Sequence, residues 1–452
     1  MPIPAQHQHR FLYHFTHLEN LENSLRLGLL SYNQQLALGV NHHSIADSGI
    51  QERRSEMVVP IPPGGVVHDY VPLYFTKLSP MLLSIVSSKN VDQLLLVHFA
   101  FPISLLDQTG VVFTNHAANG SVTPAFYSDP NHLDALNWKA IDSTKWGTPE
   151  RDKQARMAEA LVRDRLDPRL AARVYVWNDH YADEVRKIYN AVGAPPPNIA
   201  FSDFGDSHSF VNFAKDLPDD MRRRSLAPGP VQTKSTFDGA LERVLKEGGK
   251  AATPTFAGLS DLLAAFRSRG LLATSETNEL VGLLSANDVH KEDVGTHTLK
   301  VVASLVGSEE YKKLKPSDQM LAELAAYLHD IGKGPKSRWS NSGGKQKADP
   351  FHPLRSLDML VRLLVEDVGP VKPRHARALC MLVCYHDLPG DIVGNGRKKE
   401  YLLDAVESER ELDMLIALGR ADAASVVSSW EFQILWKIPA IRDWCLSALN
   451  KG

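Results

Sequence analysis

Around residues 190 to 240 the apolar period of the chain lapses. The stretches NAVGAPPPN and DLPDDMRRRSLAPGPVQTKSTFDG are rich in proline, glycine and charge, a composition that favours turns and extended backbone over packed elements. The break falls near the middle of 452 residues, a length that exceeds one ordinary hydrophobic core. It predicts two domains, residues 1–215 and 251–452, joined by a linker over 216–250. The two sides differ in pattern. Before the break, apolar runs suited to strands alternate with helical periods; after it, leucine- and alanine-rich helical periods dominate without a convincing strand. The expected fold class is therefore α/β (mixed α+β) followed by an all-α domain.

Composition narrows the setting. Hydrophobic content of 43% and charged content of 23% are those of a soluble globular protein. A formal charge of −3 creates no whole-molecule field for a polyanion, so a nucleic-acid site has to be a local patch. Cys380, Cys384 and Cys445 sit in apolar helical contexts and read as reduced core residues. The opening MPIPAQHQHR lacks the apolar stretch of a signal peptide, and no run approaches the roughly 20 apolar residues of a membrane helix. The expectation is a cytoplasmic protein without a membrane partner.

In the first half, FLYHFTH alternates as a half-buried strand, with His14 and Thr16 on one face. LENLENSLRLGLL reads as a short helix capped by Gly28. VPLYF, LLLVHFAF and RVYVW are strand candidates, and ERDKQARMAEALVRDRL is a helix or a helix followed by a strand. The segment from Asn178 to the break could belong to either domain.

The second half holds a recurrent pairing of apolar helix faces with ionisable ends. Leu321, Leu324, Ala325 and Leu328 lead to His329 and Asp330, with Asp318 as candidate N-cap and Gly332 and Gly334 ending the helix. His297 shares a face with Val301 and Leu305. Leu379, Leu382 and Val383 lead to His386, and Leu412, Leu415 and Gly419 lead to Asp422. His352 precedes Pro353, where a helix can begin. A lone histidine on such a face is ordinarily a satisfied core residue. Repetition changes the reading, because buried charges are costly unless paired or metal-bound, and imidazoles and carboxylates arriving from separate helices suit a divalent metal. One ion would take His297, His329, Asp330 and Asp422; His352 and His386 could hold a second ion or contact a phosphate.

The order His, then His-Asp in LHDIGK, then a distant Asp in GRADA resembles the HD phosphohydrolase superfamily over residues 285 to 430. That resemblance implies a divalent metal, of unspecified identity, and either phosphoester hydrolysis or a binding role.

In the first half YHFTHLENL, RRSE, VPLYFTKLSPML, FTNHAANG and AEALV, in that order, together with spaced Trp138 and Trp146, resemble the DarT family of ADP-ribosyltransferases from Phe11 to about Val176. The resemblance implies an ADP-ribosyltransferase fold, NAD as consumed co-substrate and a DNA base as acceptor. His14, Thr16 and Asn20 match the family's NAD-contacting opening; Tyr74 and Phe75 fall beside the nicotinamide pocket, followed by Ser79 and Met81. One of Arg53 and Arg54 matches the family arginine, and Glu159 the catalytic glutamate. The residue types suit the chemistry: a carboxylate stabilises positive charge developing on the ribose and can accept a proton from the acceptor base, while arginine's planar fork grips one anionic group twice.

Single-stranded DNA is the expected partner, since a paired base must first be exposed. Phe126, Tyr127, Trp138 or Trp146 could stack on a base, although core packing is favoured for the tryptophans. Arg151, Lys153 and Arg156, or Arg222 to Arg224, could meet the backbone, and a solvated face explains these equally. An antitoxin or regulatory protein and a toxin or phage-defence role follow from the family resemblance alone. The alternative is an HD nucleotide phosphohydrolase whose first domain only binds nucleotide or nucleic acid.

Overall fold

In the computed structural model of the chain, strands occupy the first half and helices the second. The structure describes residues 3–45, 48–118, 123–146, 149–195, 197–201, 208–211, 225–286, 292–426 and 428–450. The chain packs as two units: the first takes in Met1–Ser87 and Val91–Phe213, the second Ala227–Gly452.

The first unit is built on an eight-stranded mixed sheet. Its strands are β1 (Phe11–His17), β3 (Tyr70–Tyr74), β4 (Leu96–Pro102), β5 (Val111–Thr114), β6 (Phe126–Tyr127), β7 (Glu159–Arg163), β9 (Arg173–Val176) and β10 (Ile199–Phe201), with β2 (Leu29–Leu30) and β8 (Arg165–Leu166) forming a separate pair. The order across the sheet is β10, β9, β4, β1, β3, β7, β5, β6. All neighbours are antiparallel except β9 and β10. β10 and the Asp179–Ala191 helix, whose Ala182, Val185 and Tyr189 are buried on the sheet core, place the segment after Asn178 with the first unit.

β1 lies between β3 and β4, and its inner position replaces the clean alternation expected from FLYHFTH: Leu12, Thr16 and His17 are all buried. ERDKQARMAEALVRDRL resolves into a helix over Glu150–Arg156 followed by β7. Glu159 therefore opens a strand.

The second unit is helical among its described residues, with a continuous core that includes Leu262, Phe266, Leu324, Leu357, Leu382 and Leu415. The expected linker over 216–250 is corrected by an 18-residue helix, Pro230–Glu247, whose Thr233, Phe237 and Val244 are buried in this unit. Proline at the first helical position costs no hydrogen bond there and presets the backbone for a helix, so APGP marks an entry to packed structure. Asp318 does not cap its helix either. Lys315 stands at the N-cap with Pro316 after it, and Asp318 pairs in the first turn with Arg410, where the helix dipole favours an acid. Cys380, Cys384 and Cys445 are free and buried, and no described helix is long and apolar enough to cross a membrane.

Candidate functional sites

The first site opens where the central strands part. β1 and β3 share a single register pair, Tyr13 with Tyr74, and a cavity of about 440 Å³ is lined there by His14, Thr16, Asn20, Arg54, Tyr74 and Met81, among others. Glu159 stands opposite Tyr74 in the register of β3 with β7 and is only 2% exposed. The Ser48–Glu56 helix turns Arg54 inward and leaves Arg53 exposed. Arg54 grips Glu159 twice, Nη1 to Oε1 at 2.9 Å and Nη2 to Oε2 at 3.1 Å, and the backbone N–H of Ala118 donates to Oε1 at 2.9 Å. A buried carboxylate survives only with such pairing. Burial works against the Arg54 cation, but Glu159 outweighs it and holds the guanidinium above its ordinary value. Burial and the Glu159 charge together push the Tyr74 phenol up.

His14 fixes its own tautomer. Its Nδ1 lies 2.8 Å from the Pro72 carbonyl, which only accepts, so Nδ1 carries the hydrogen; burial lowers the imidazole to about 4. Nε2 is thus an unprotonated acceptor at neutral pH. Asn20 lines the cavity and also has protein partners of its own. Its Nδ2 donates to Thr16 Oγ1 (3.1 Å) and to the His43 carbonyl (3.0 Å), and its Oδ1 accepts from His43 N–H (2.7 Å). The amide braces the segment around His43 against β1.

Phe75 leaves the cleft altogether. It follows Tyr74 on the opposite face and packs edge-on against Phe113 (6.2 Å) and Trp138 (5.6 Å) in the sheet core. Ser79 accepts the N–H of Leu82 at 3.1 Å, capping the Pro80–Ser87 helix. Trp138 is held by Nε1–H donation to the Leu133 carbonyl (2.7 Å) with Arg10 3.8 Å above its ring. Trp146 packs against Phe210 and under Arg156 at 4.0 Å. Arg156 is buried and donates to the Lys145 carbonyl at 2.9 Å, which removes it from the basic patch. Arg151 and Lys153 are exposed. Phe126 and Tyr127 form the edge strand β6, with Tyr127 stacked on Phe113 at 5.3 Å. Arg222 to Arg224, with Asn119 and Gly120 of FTNHAANG, lie outside the described residues.

The second site gathers side chains from five helix termini and faces. His297 lies in the Val294–Gly307 helix, His329 caps the Pro316–Leu328 helix with Asp330 next, His352 opens the His352–Arg362 helix, His386 caps the Pro373–Tyr385 helix, and Asp422 lies in the Glu409–Val426 helix. Gly332 makes the approach of two of these elements sterically feasible. A Cβ there would sit 2.3 Å from both the His352 carbonyl oxygen and the Ser356 nitrogen, and its N–H donates to Ser356 Oγ at 2.9 Å. The glycine after His-Asp is thus a close-approach residue; the helix has already ended at Leu328.

Each imidazole is tethered through Nδ1. His329, His352 and His386 donate to the carbonyls of Ala326 (2.9 Å), Asp349 (2.8 Å) and Val383 (2.9 Å). His297 Nδ1 lies 3.0 Å from Ser425 Oγ, whose hydrogen goes to the Asp422 carbonyl. All four Nε2 atoms therefore turn inward: His297 to Asp422 Oδ1 (3.0 Å) and Asp330 Oδ2 (3.6 Å), His329 to Asp330 Oδ2 (3.4 Å), His352 to Asp330 Oδ1 (3.2 Å), and His386 to His352 Nε2 (3.1 Å). His329 Nε2 and Asp330 Oδ1 are buried without any hydrogen bond. Acceptor facing acceptor in a buried site calls for either a proton or a metal cation between them, and the donor set fits a divalent transition metal. Burial opposes charge on His329, but Asp330 and Asp422 outweigh it and raise the imidazole to about 9.

Two participants went unread in the sequence. Asp387 lies beside the cluster, Oδ1 3.4 Å from His386 Nε2, and Lys333 Nζ donates to Asp330 Oδ2 at 2.6 Å. The signal for Asp387 was available, since YHD repeats the His-Asp pair of LHD.

The family model described as "ssDNA thymidine ADP-ribosyltransferase, DarT" matches residues 13–204. A DNA ADP-ribosyl transferase of Thermus sp. (strain 2.9) is 36% identical over 182 residues, covering 39% of this chain and 86% of that protein. Two solved structures are similar: Thermus sp. 2.9 DarT in complex with ADP-ribosylated ssDNA (32% identity, 44% of this chain, 96% of that one, TM-score 0.40) and the same protein in complex with NAD+ (30% identity, 44% and 97%, TM-score 0.38).

Proposed function

The chain belongs to the DarT family of DNA ADP-ribosyltransferases, and from that premise we propose that its first unit transfers ADP-ribose from NAD to a base of single-stranded DNA, thymine by the family's description, releasing nicotinamide. The observation that carries the reading is the buried Arg54–Glu159 pair at the cleft where β1 and β3 part. The ribose–nicotinamide bond breaks, a bond from the ribose carbon to a base nitrogen forms, and the base proton passes to a general base. Glu159 has the chemistry for two roles: its charge stabilises the developing cation on the ribose, and its oxygen accepts the proton. Arg54 orients it. His14 Nε2 is a suitable acceptor for a ribose hydroxyl, and Thr16 and Tyr74 bound the nucleotide. Asn20 acts by holding the His43 segment in place.

The test is nicotinamide release from NAD with single-stranded oligonucleotides of each base, with mass analysis of the DNA. A gain of one ADP-ribose on thymidine-containing strands, absent from Glu159→Ala, is expected; unchanged DNA with intact NAD refutes it and favours a first unit that only binds nucleotide or nucleic acid. An effector role in defence, with an antitoxin or regulatory partner, belongs to the same reading. Growth arrest on expression, relieved by Glu159→Ala, checks it.

The second unit we read as an HD-type phosphohydrolase domain. His297, His329, Asp330 and Asp422 would hold a divalent ion, with His352 and His386 alongside. Support comes from the four inward Nε2 atoms and the orphaned Asp330 oxygen. A bound ion would polarise a phosphoryl oxygen and supply a nucleophile from water at neutral pH. Phosphate release from phosphoesters, abolished by Asp330→Ala, tests hydrolysis; metal retention without release leaves a binding role.

A further inference from the structure

The phrase THLEN carries two residues that the nucleotide cleft does not use. His17 ends β1 with its side chain buried, and Glu19 stands in the Leu18–Asn20 turn that follows. Both meet His43, from the segment that Asn20 braces. The His17 and His43 rings stack with centroids 4.0 Å apart and planes 11° from parallel. Glu19 Oε2 lies 3.0 Å from His43 Nδ1 and 3.8 Å from His17 Nδ1. One ligand atom from each of the three residues falls within 4.8 Å of the others.

We propose that His17, Glu19 and His43 form a site for a zinc-like transition-metal ion, which clamps the segment bordering the nucleotide cavity to the end of β1. Two imidazoles and one carboxylate are a common set of protein ligands for zinc, with the fourth position left to water. Bonds of roughly 2.0 Å in a tetrahedral site put ligand atoms about 3.3 Å apart, between the two separations found here. His17 Nδ1 accepts the Glu19 backbone N–H at 3.3 Å, so this nitrogen carries the lone pair, and it faces the place where Glu19 and His43 meet. The His43 and Glu19 side chains are 40% and 69% exposed. His43 therefore has room to tilt its ring towards an ion, and the fourth position opens to solvent. As a bare ion pair, the contact would contribute little at that exposure.

His43 is positioned through its backbone, independently of its side chain. Asn20 accepts its N–H at 2.7 Å and donates to its carbonyl at 3.0 Å, and Asn23 donates to the Asn41 carbonyl at 3.1 Å. Such outer contacts orient ligands at metal sites. Asn41, His42, Ser44 and Ile45, on either side of His43, line the cavity. An ion joining His43 to β1 would restrict this segment before a nucleotide arrives, and a ligand that enters an ordered site has less ordering left to supply. The consequence for NAD rests on the transferase reading; the metal site itself does not.

The experiment uses the full chain, stripped with a chelator, reloaded with Zn²⁺ and washed before the metal is counted. The wild type should hold one more ion than His43→Ala or Glu19→Gln; because these chains share the same second unit, any ion bound there cancels in the difference. His43→Cys loaded with Co²⁺ should show a sulfur-to-cobalt charge-transfer band that the wild type lacks, since a thiolate then joins the ligands. Equal zinc counts in the wild type and His43→Ala overturn the site, as does a His43→Cys chain without the band. Calorimetry with NAD, in the absence of DNA, tests the clamp: Zn²⁺ should tighten NAD binding several-fold in the wild type and not in His43→Ala. An affinity indifferent to zinc overturns the clamp. NAD left unbound by every chain overturns the clamp together with the transferase reading, and the metal count still decides the site.

Discussion

Replacing Arg54 by methionine isolates the cost of leaving a catalytic-site carboxylate without its partner. Glu159 is 2% exposed, and with the guanidinium gone the donor left to its carboxylate among the described residues is the Ala118 backbone N–H on Oε1. Breaking a buried pair from this side costs about 3–5 kcal/mol. Replacing Glu159 by glutamine is milder: Arg54 lines the cavity and can turn to water, so the loss is nearer the roughly 1.5–3 kcal/mol of hydrogen bonds to a charged group. The double variant removes both charges and should cost no more than Arg54→Met alone. Hydrogen exchange of the β7 amides measures this within the full chain. Protection should fall by roughly a hundred- to several-thousand-fold in Arg54→Met, at about 1.36 kcal/mol per tenfold, and by a smaller factor in Glu159→Gln. Equal losses in the two single variants, or a double variant that costs their sum, would refute the argument from burial asymmetry.

Asn20→Ala should raise KM for NAD several-fold more than it lowers kcat, because it releases the His43 segment without removing a reacting group; steady-state nicotinamide release checks the split. Gly332→Ala places a methyl group against backbone at His352 and Ser356, so it should destabilise the second unit by about 1–3 kcal/mol and weaken metal retention, measured by denaturant titration and metal counting. The pH dependence of the first unit follows from His14 and His17, both lowered by burial from 6.5 to about 4. The unfolded chain binds these protons more readily than the folded one. Their contribution to stability is therefore full above pH 6.5 and falls as pH drops towards 4. Protection of β1 amides, corrected for intrinsic exchange, should decline over that window, with a shallower slope in His14→Asn.

Local pattern and residue chemistry in the sequence were enough for the two-part division and for the change from strands to helices, because hydrophobic period is written along the chain. The candidate site residues were legible as types: a histidine or aspartate ending an apolar helix face advertises a buried charge in need of a partner. What the sequence could not decide were the partners. The choice between Arg53 and Arg54 depends on which side of one helix meets β7, and the use of Asn20 as a brace depends on a segment more than 20 residues away. Phe75 turns from the cleft because adjacent strand residues face opposite ways, and Pro230–Glu247 joins a core because its buried face found one. Asp387 was hidden in plain text. Its place beside His352, His386 and Asp330 is set by helices that meet only when the second unit folds, and distances between chain-distant atoms are fixed by packing rather than by local sequence.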